Sequence, residues 1–169
     1  MRYAKIRTRD VTNGKGIVCS LFVQGCHFHC NGCWNESTWD FQGGKLWTKD
    51  VEDRLINDLC SDTHIKGLSI LGGEPLAYEN FDDVLRICKR FKEVHPDKNL
   101  YLWSGYTFET IKGTEREAIL QYLDVLIDGR FDITKRDLML YLRGSSNQRV
   151  IDVKRSIEED KVVIHEDYK

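Results

Sequence analysis

Three of the six cysteines fall close together at Cys26, Cys30 and Cys33, in the stretch Gly25-Cys26-His27-Phe28-His29-Cys30-Asn31-Gly32-Cys33-Trp34. Thiolates at spacings of four and three, in a glycine-containing loop behind the apolar run Ile17 to Val23, can converge on one inorganic centre. A structural zinc site and a fully ligated cysteine-held iron-sulfur cluster both take a full set of four protein ligands. Three thiolates leave one iron of a cubane open, and an open iron is a place for substrate or cofactor chemistry. The competing reading is a zinc site completed by His27 or His29, since zinc accepts Cys3His sets.

The second chemical feature is Gly72-Gly73-Glu74-Pro75, directly after the short apolar run Gly67 to Leu71. Glycines let a ligand ammonium approach backbone carbonyls closely, and a neighbouring carboxylate steadies its charge. Ser104 and Asp128 likewise stand just beyond apolar runs. Each is a candidate for holding a ligand and equally a turn serine or a cap. Arg143, Ser146, Asn147 and Gln148 form a polar set suited to recognising an inserted backbone loop, with a solvated turn as the alternative.

Taken together, the Cys-x3-Cys-x2-Cys spacing and the Gly-Gly-Glu-Pro segment some forty residues later resemble the radical S-adenosylmethionine (radical SAM) enzymes. The resemblance narrows to the activating enzymes of anaerobic ribonucleotide reductase. It is carried in order by Gly25-Cys26, Cys33-Trp34-Asn35, Trp103 to Thr107, Asp124 to Gly129 and Arg143-Gly144-Ser145-Ser146-Asn147-Gln148, and it spans about residues 14 to 153. It implies a 4Fe-4S cluster held by Cys26, Cys30 and Cys33, with SAM on the open iron. Gly72, Gly73 and Glu74 would hold the methionine end; Gly32, Trp34 and Asn35 would flank the cluster beside the nucleoside; Ser104 and Asp128 would serve the ribose or the methionine carboxylate. Many radical SAM proteins carry an aromatic residue just before the third cysteine. Here Gly32 stands there and Trp34 follows, which leaves either Trp34 or Phe28 as the ring near the adenine.

The implied reaction is reductive cleavage of SAM to methionine and a 5′-deoxyadenosyl radical, which takes a hydrogen from a glycine of the reductase and leaves a glycyl radical. The implied partners are the large, glycyl-radical subunit of anaerobic ribonucleotide reductase, bound through Arg143, Ser146, Asn147 and Gln148, and an electron donor such as a flavodoxin. Two rivals stay open: an activase for another glycyl-radical enzyme of the pyruvate formate-lyase type, and a non-catalytic zinc-binding module.

The elements that must position these residues read as one α/β domain over residues 1–169. Residues 2 to 8 suggest an edge strand, and Ile17–Gln24 a strand that feeds the cysteine loop. Gly67–Leu71, Asn99–Trp103 and Val125–Asp128 complete four core strands. Helices are predicted from a Thr48 cap, over Asn80 to Val94, and over Phe108 to Leu123 with a break near Gly113. This alternation predicts mostly parallel strands with right-handed crossovers. The resemblance implies a shortened, partly open radical SAM (β/α) barrel. Val150–Val153 and Lys161–His165 read as short strands around a charged linker, a small C-terminal cap on one edge.

Net charge is −2, with no long Lys/Arg block, so nothing argues for a nucleic-acid or membrane partner. Charges through the first twenty residues break any signal-peptide core, and the expected compartment is a reducing cytoplasm. Cys19, Cys60 and Cys88 read as buried structural thiols.

Overall fold

The computed structural model describes residues 1–169. Its strands are β1 (Arg2–Asp10), β2 (Ile17–Val23), β3 (Lys45–Leu46), β4 (Ile65–Gly72), β5 (Asn99–Ser104), β6 (Val125–Asp128) and β7 (Arg149–Asp152). Its α-helices are α1 (Lys49–Asp53), α2 (Tyr78–Val94), α3 (Phe108–Ile111) and α4 (Val153–Glu159). All seven strands form one open sheet in the order β3-β1-β2-β4-β5-β6-β7. The central pairs β2-β4, β4-β5 and β5-β6 are parallel, and antiparallel strands flank them on both sides.

The parallel strands follow one another in chain order, so every crossover advances in the same direction. Right-handed crossovers that never reverse put all their helices on one face of a sheet. The buried residues divide accordingly. Cys19, Leu21 and Val23 of β2, Leu68 and Ile70 of β4, and Leu100 and Leu102 of β5 pack with helical Leu55, Phe81, Val84, Ile87 and Phe91 into a core of 25 residues. The opposite face carries a cluster of only five, Val18, Tyr101, Val125, Ile127 and Val150. That sparsely covered face is where a site can open.

Local chemistry sets the element ends. Thr48 caps α1 as its spacing predicts, its hydroxyl accepting from Val51 N at 3.3 Å, and the helix continues through a π turn over Arg54–Asp58. α2 starts two residues before the predicted Asn80, because Asn80 is occupied elsewhere: its amide donates to the Gln24 and Glu74 carbonyls at 3.1 and 3.0 Å. The break near Gly113 is present. α3 stops at Ile111, Gly113 takes φ +80°, and a 3₁₀ run over Glu115–Tyr122 comes next.

The tail differs from expectation. The charged linker is α4, started by the Asp152 carboxylate accepting from Arg155 N at 3.1 Å, and its Lys, Arg and Glu are good helix formers. Only Ile164 of the predicted second strand pairs, in a single bridge to Ile151. Cys19, Cys60 and Cys88 are fully buried in the main core, as expected.

Candidate functional site

β2 delivers the chain into the cysteine loop through Gln24 and Gly25, and the start of that loop is bonded to the segment at Thr38 and Trp39. Gly25 N and Cys26 N donate to the Thr38 and Trp39 carbonyls, at 2.6 and 3.1 Å. Cys33 N donates to the Cys30 carbonyl at 3.1 Å, and Asn35 N points at the Cys33 sulfur at 3.4 Å. Burial pushes the Cys26 and Cys30 thiols up from the ordinary cysteine range.

Gly72 and Gly73 explain how the loop is placed against β4. A Cβ on Gly73 would fall on the Gly25 carbonyl oxygen, and Gly72 has φ +101°. The absence of side chains lets Gly73 N reach the Val23 carbonyl at 2.9 Å and Glu74 N reach the Gly25 carbonyl at 2.8 Å. The two glycines bring backbone to backbone, locking the end of β4 onto the root of the cysteine loop.

Glu74 is buried, and both of its oxygens are engaged. One accepts from Gly105 N at 2.7 Å; the other accepts from Leu76 N and from the Ser104 hydroxyl, each at 2.9 Å. Burial outweighs these donors and the nearby Arg116 guanidinium, and pushes the carboxyl up to about 7. Arg116 is itself buried, held by the Leu76 carbonyl at 2.6 Å and sandwiched 4.3 Å from the rings of Tyr78 and Tyr106. Nothing in the sequence marked it. A helix-region arginine is normally solvated, and only the fold brings it beneath the Gly-Gly-Glu turn.

A cavity of about 660 Å³ opens on the sparsely covered face. Cys26, Cys30, Cys33, Trp34, Asn35, Gly72, Gly73, Glu74, Ser104, Arg143 and Gln148 all line it, so most of the sequence-derived site residues share one wall system. Phe22, Leu71, Trp103 and Ile127 supply apolar surface. Phe28 also lines it, edge-on to Tyr106 at 4.9 Å and capped by Arg130 at 4.3 Å.

Gly32, Asp128, Ser146 and Asn147 are outside the lining. Asp128 is buried, accepting from Phe108 N at 2.7 Å and from Arg149 at 3.0 and 2.6 Å, so the cap among its two sequence readings is the one with visible partners. Arg149 had no sequence signal.

The donor set fits a three-thiolate cluster. Soft sulfur ligands line one cavity, and the cavity extends past them to the turn at Gly72–Glu74. The two histidines of the loop are occupied elsewhere. His27 reaches Glu79 at 2.7 Å and packs on Phe41, while His29 stacks on Trp39 at 4.4 Å and 4°. No three His, Cys, Asp or Glu side chains close on one ion-sized point. The Trp39 indole N–H, in the same cavity wall, is a buried donor with no acceptor in the chain.

Residues 12–151 match the family model described as a 4Fe-4S single cluster domain. The anaerobic ribonucleoside-triphosphate reductase-activating protein of Vibrio cholerae is 44% identical over 150 residues, covering 88% of this chain and 96% of that one. The chain belongs to this family. The Escherichia coli K12 activating protein is 40% identical over 152 residues, covering 89% and 97% of the two chains; that of phage T4 is 39% identical over 150 residues, covering 89% and 93%. No helix in this chain is long and apolar enough to cross a membrane.

Proposed function

We propose that this chain activates an anaerobic ribonucleoside-triphosphate reductase as a radical SAM enzyme, with Cys26, Cys30 and Cys33 holding a 4Fe-4S cluster and SAM bound on its open iron. The fold would then be a shortened, open radical SAM barrel whose lumen is the cavity. The observation that carries the reading is that the three thiols, the Gly72–Glu74 turn and Ser104 line one cavity on the face of the sheet left free of α-helices. When bound, the reduced cluster and SAM supply a one-electron cleavage and, through it, removal of hydrogen from a glycine of the reductase.

The chain's own residues bind, orient and exclude water. Glu74, fixed by Ser104 and Gly105, sets the turn and presents a carboxyl to the methionine ammonium. Phe22, Leu71, Trp103 and Ile127 keep the lumen dry, and Trp34, Asn35 or Phe28 meets the nucleoside. The electron comes from a separate protein donor of the flavodoxin type.

The test is anaerobic reconstitution with iron and sulfide, then electron paramagnetic resonance of the reduced protein with and without SAM. A cluster signal that SAM alters, together with a glycyl radical on the co-incubated reductase, is the expected result. A colourless protein with stoichiometric zinc would return the loop to scaffolding, and a radical on pyruvate formate-lyase alone would move the activity to another partner.

A further inference from the structure

The chain has four tryptophans, and three of their indole N–H groups have an evident outlet. That of Trp47 donates to Glu52 at 3.3 Å, that of Trp103 donates to the Leu142 carbonyl at 2.6 Å, and Trp34 is exposed. Trp39 is different. Its Nε1 is the one buried side-chain nitrogen or oxygen that finds no partner in the chain. Buried polar groups are hydrogen-bonded as a rule, so an orphaned donor calls for an acceptor from outside the chain.

The indole is held where it stands. Trp39 N donates to the Glu36 carbonyl at 3.1 Å, and the Trp39 carbonyl accepts from Cys26 N at 3.1 Å. Its ring lies parallel to that of His29, with centroids 4.4 Å apart and planes 4° from each other. His29 makes that stack with a left-handed φ of +49°, an uncommon backbone for a residue with a side chain. Backbone bonds at Cys26 and a stacked ring one residue before Cys30 thus fix Trp39 against the cysteine loop.

Trp39 lines the same cavity as Cys26, Cys30 and Cys33. The loop already directs N–H groups at sulfur there. Asn35 N lies 3.4 Å from the Cys33 sulfur, and the backbone N–H groups of Phe28 and His29 favour the ionised form of Cys26 against its burial. Anionic sulfur is the acceptor chemistry for which this part of the cavity is arranged.

The chain's own acceptors near the loop are spoken for. An indole N–H points along its ring plane, and His29 lies parallel to that plane, so the His29 nitrogens are not in its path. His27 is held by Glu79 at 2.7 Å. Glu74, the one acid among the lining residues, already accepts from Gly105 N, Leu76 N and the Ser104 hydroxyl.

We propose that the Trp39 indole N–H donates to an anionic sulfur of the bound cluster, sulfide or cysteine thiolate, and so helps to set the cluster's reduction potential. The proposal rests on the functional reading above. Hydrogen bonds to the sulfurs are among the levers on such potentials. A donor at sulfur stabilises the extra negative charge of the reduced form, so Trp39 raises the potential.

The test is a redox titration of the full chain, reconstituted anaerobically and followed by electron paramagnetic resonance. Trp39→Phe keeps a ring for His29 and removes the donor. A second protein carries benzothienylalanine at position 39, where sulfur replaces the N–H at nearly the same shape. Both should take up iron and sulfide as the unsubstituted protein does. In both, the ratio of reduced to oxidised cluster at a fixed poise should fall about tenfold, a shift of about 59 mV to lower potential. With tryptophan isotope-labelled at the indole nitrogen, the reduced cluster should show a nitrogen coupling that Trp34→Phe keeps and Trp39→Phe loses.

An unchanged potential in both proteins overturns the proposal. So does a rise, which is what water admitted beside the cluster would cause. Iron loss by Trp39→Phe, with an unchanged potential in the benzothienylalanine protein, would make the ring structural and also overturns it. A nitrogen coupling that appears only after SAM is added gives the donor to SAM, with the same result. An unsubstituted protein that assembles no cluster overturns the functional reading itself, and is told apart because no substitution is involved.

Discussion

The Ser104 hydroxyl, at the end of β5, donates to the Glu74 carboxylate, just past the end of β4, at 2.9 Å, and also accepts from Tyr106 N at 3.0 Å. This one side chain therefore joins the two strand ends that form the wall facing the cysteine loop. Ser104→Ala removes a donor from a buried carboxyl and leaves Tyr106 N without its acceptor. The expected cost is about 1–3 kcal/mol, the range for an unsatisfied buried group. Thermal unfolding of the metal-free chain measures it, and an unchanged midpoint would contradict the joint.

Glu74 should also make stability and ligand binding depend on pH near neutrality. Its carboxyl is pushed up to about 7 by burial, above its ordinary value. A folded-state value above the unfolded one means the unfolded chain loses its proton first. Stability is then greatest below about pH 4.5 for this group and declines as pH rises toward 7, by up to about 3 kcal/mol. Urea titrations at pH 5, 6, 7 and 8 would show that slope, and Glu74→Gln should flatten it.

A cation bound beside Glu74 favours the ionised form. SAM binding should therefore release a proton near pH 7 and weaken by up to about tenfold per unit below it. Calorimetry in two buffers of different ionisation heat detects the proton. No release would separate Glu74 from the ammonium.

The cysteine triad, the Gly-Gly-Glu turn and the four central strands were legible because each is local: a spacing, a glycine pair, a short apolar run between turn residues. The open face was legible only in part. Chain-order parallel strands with one-handed crossovers imply it, but closure depends on how many strands come after them, and the tail turned into α4 once Asp152 capped it. Arg116 and Arg149 were invisible because their partners, Leu76 and Asp128, lie 40 and 21 residues away. Arg143, Asn147 and Gln148 were picked out by type, yet type alone does not say whether an amide faces a partner protein or its own loop.

Asp10, buried behind the Thr12 and Asn13 that line the cavity, predicts acid sensitivity. Burial opposes its ionisation, but hydrogen bonds from Ser20, Thr12 and Asn13 outweigh it and hold the carboxyl down to about 2. A depressed folded-state value stabilises the chain above about pH 4 and is lost as pH falls toward 2, about 2 kcal/mol in all. Thr12 and Asn13 line the cavity, so this carboxylate shapes it as well. Asp10→Asn should lose most of that stability at pH 7 and show a flatter acid limb in a pH series of unfolding curves.

Asp128 and Arg149 decide between two roles for one carboxylate. Asp128 is buried, starts α3 through Phe108 N, and receives the Arg149 guanidinium, which also bonds Glu109 at 3.0 and 2.6 Å. Removing Arg149 strands a buried charge, a loss of about 3 kcal/mol or more, whereas Asp128→Asn keeps an acceptor for Phe108 N and removes the charge. Arg149→Met should therefore lower the unfolding midpoint more than Asp128→Asn does, and the double variant should be no worse than Arg149→Met alone. SAM affinity separates the roles. As a clamp, Asp128→Asn costs stability and leaves the affinity of the reconstituted protein within about twofold; as a ribose or carboxylate ligand, it would lower affinity tenfold or more at unchanged cluster content, about the worth of a charge-assisted hydrogen bond. Its bonds to Phe108 and Arg149, and its place outside the cavity lining, favour the clamp.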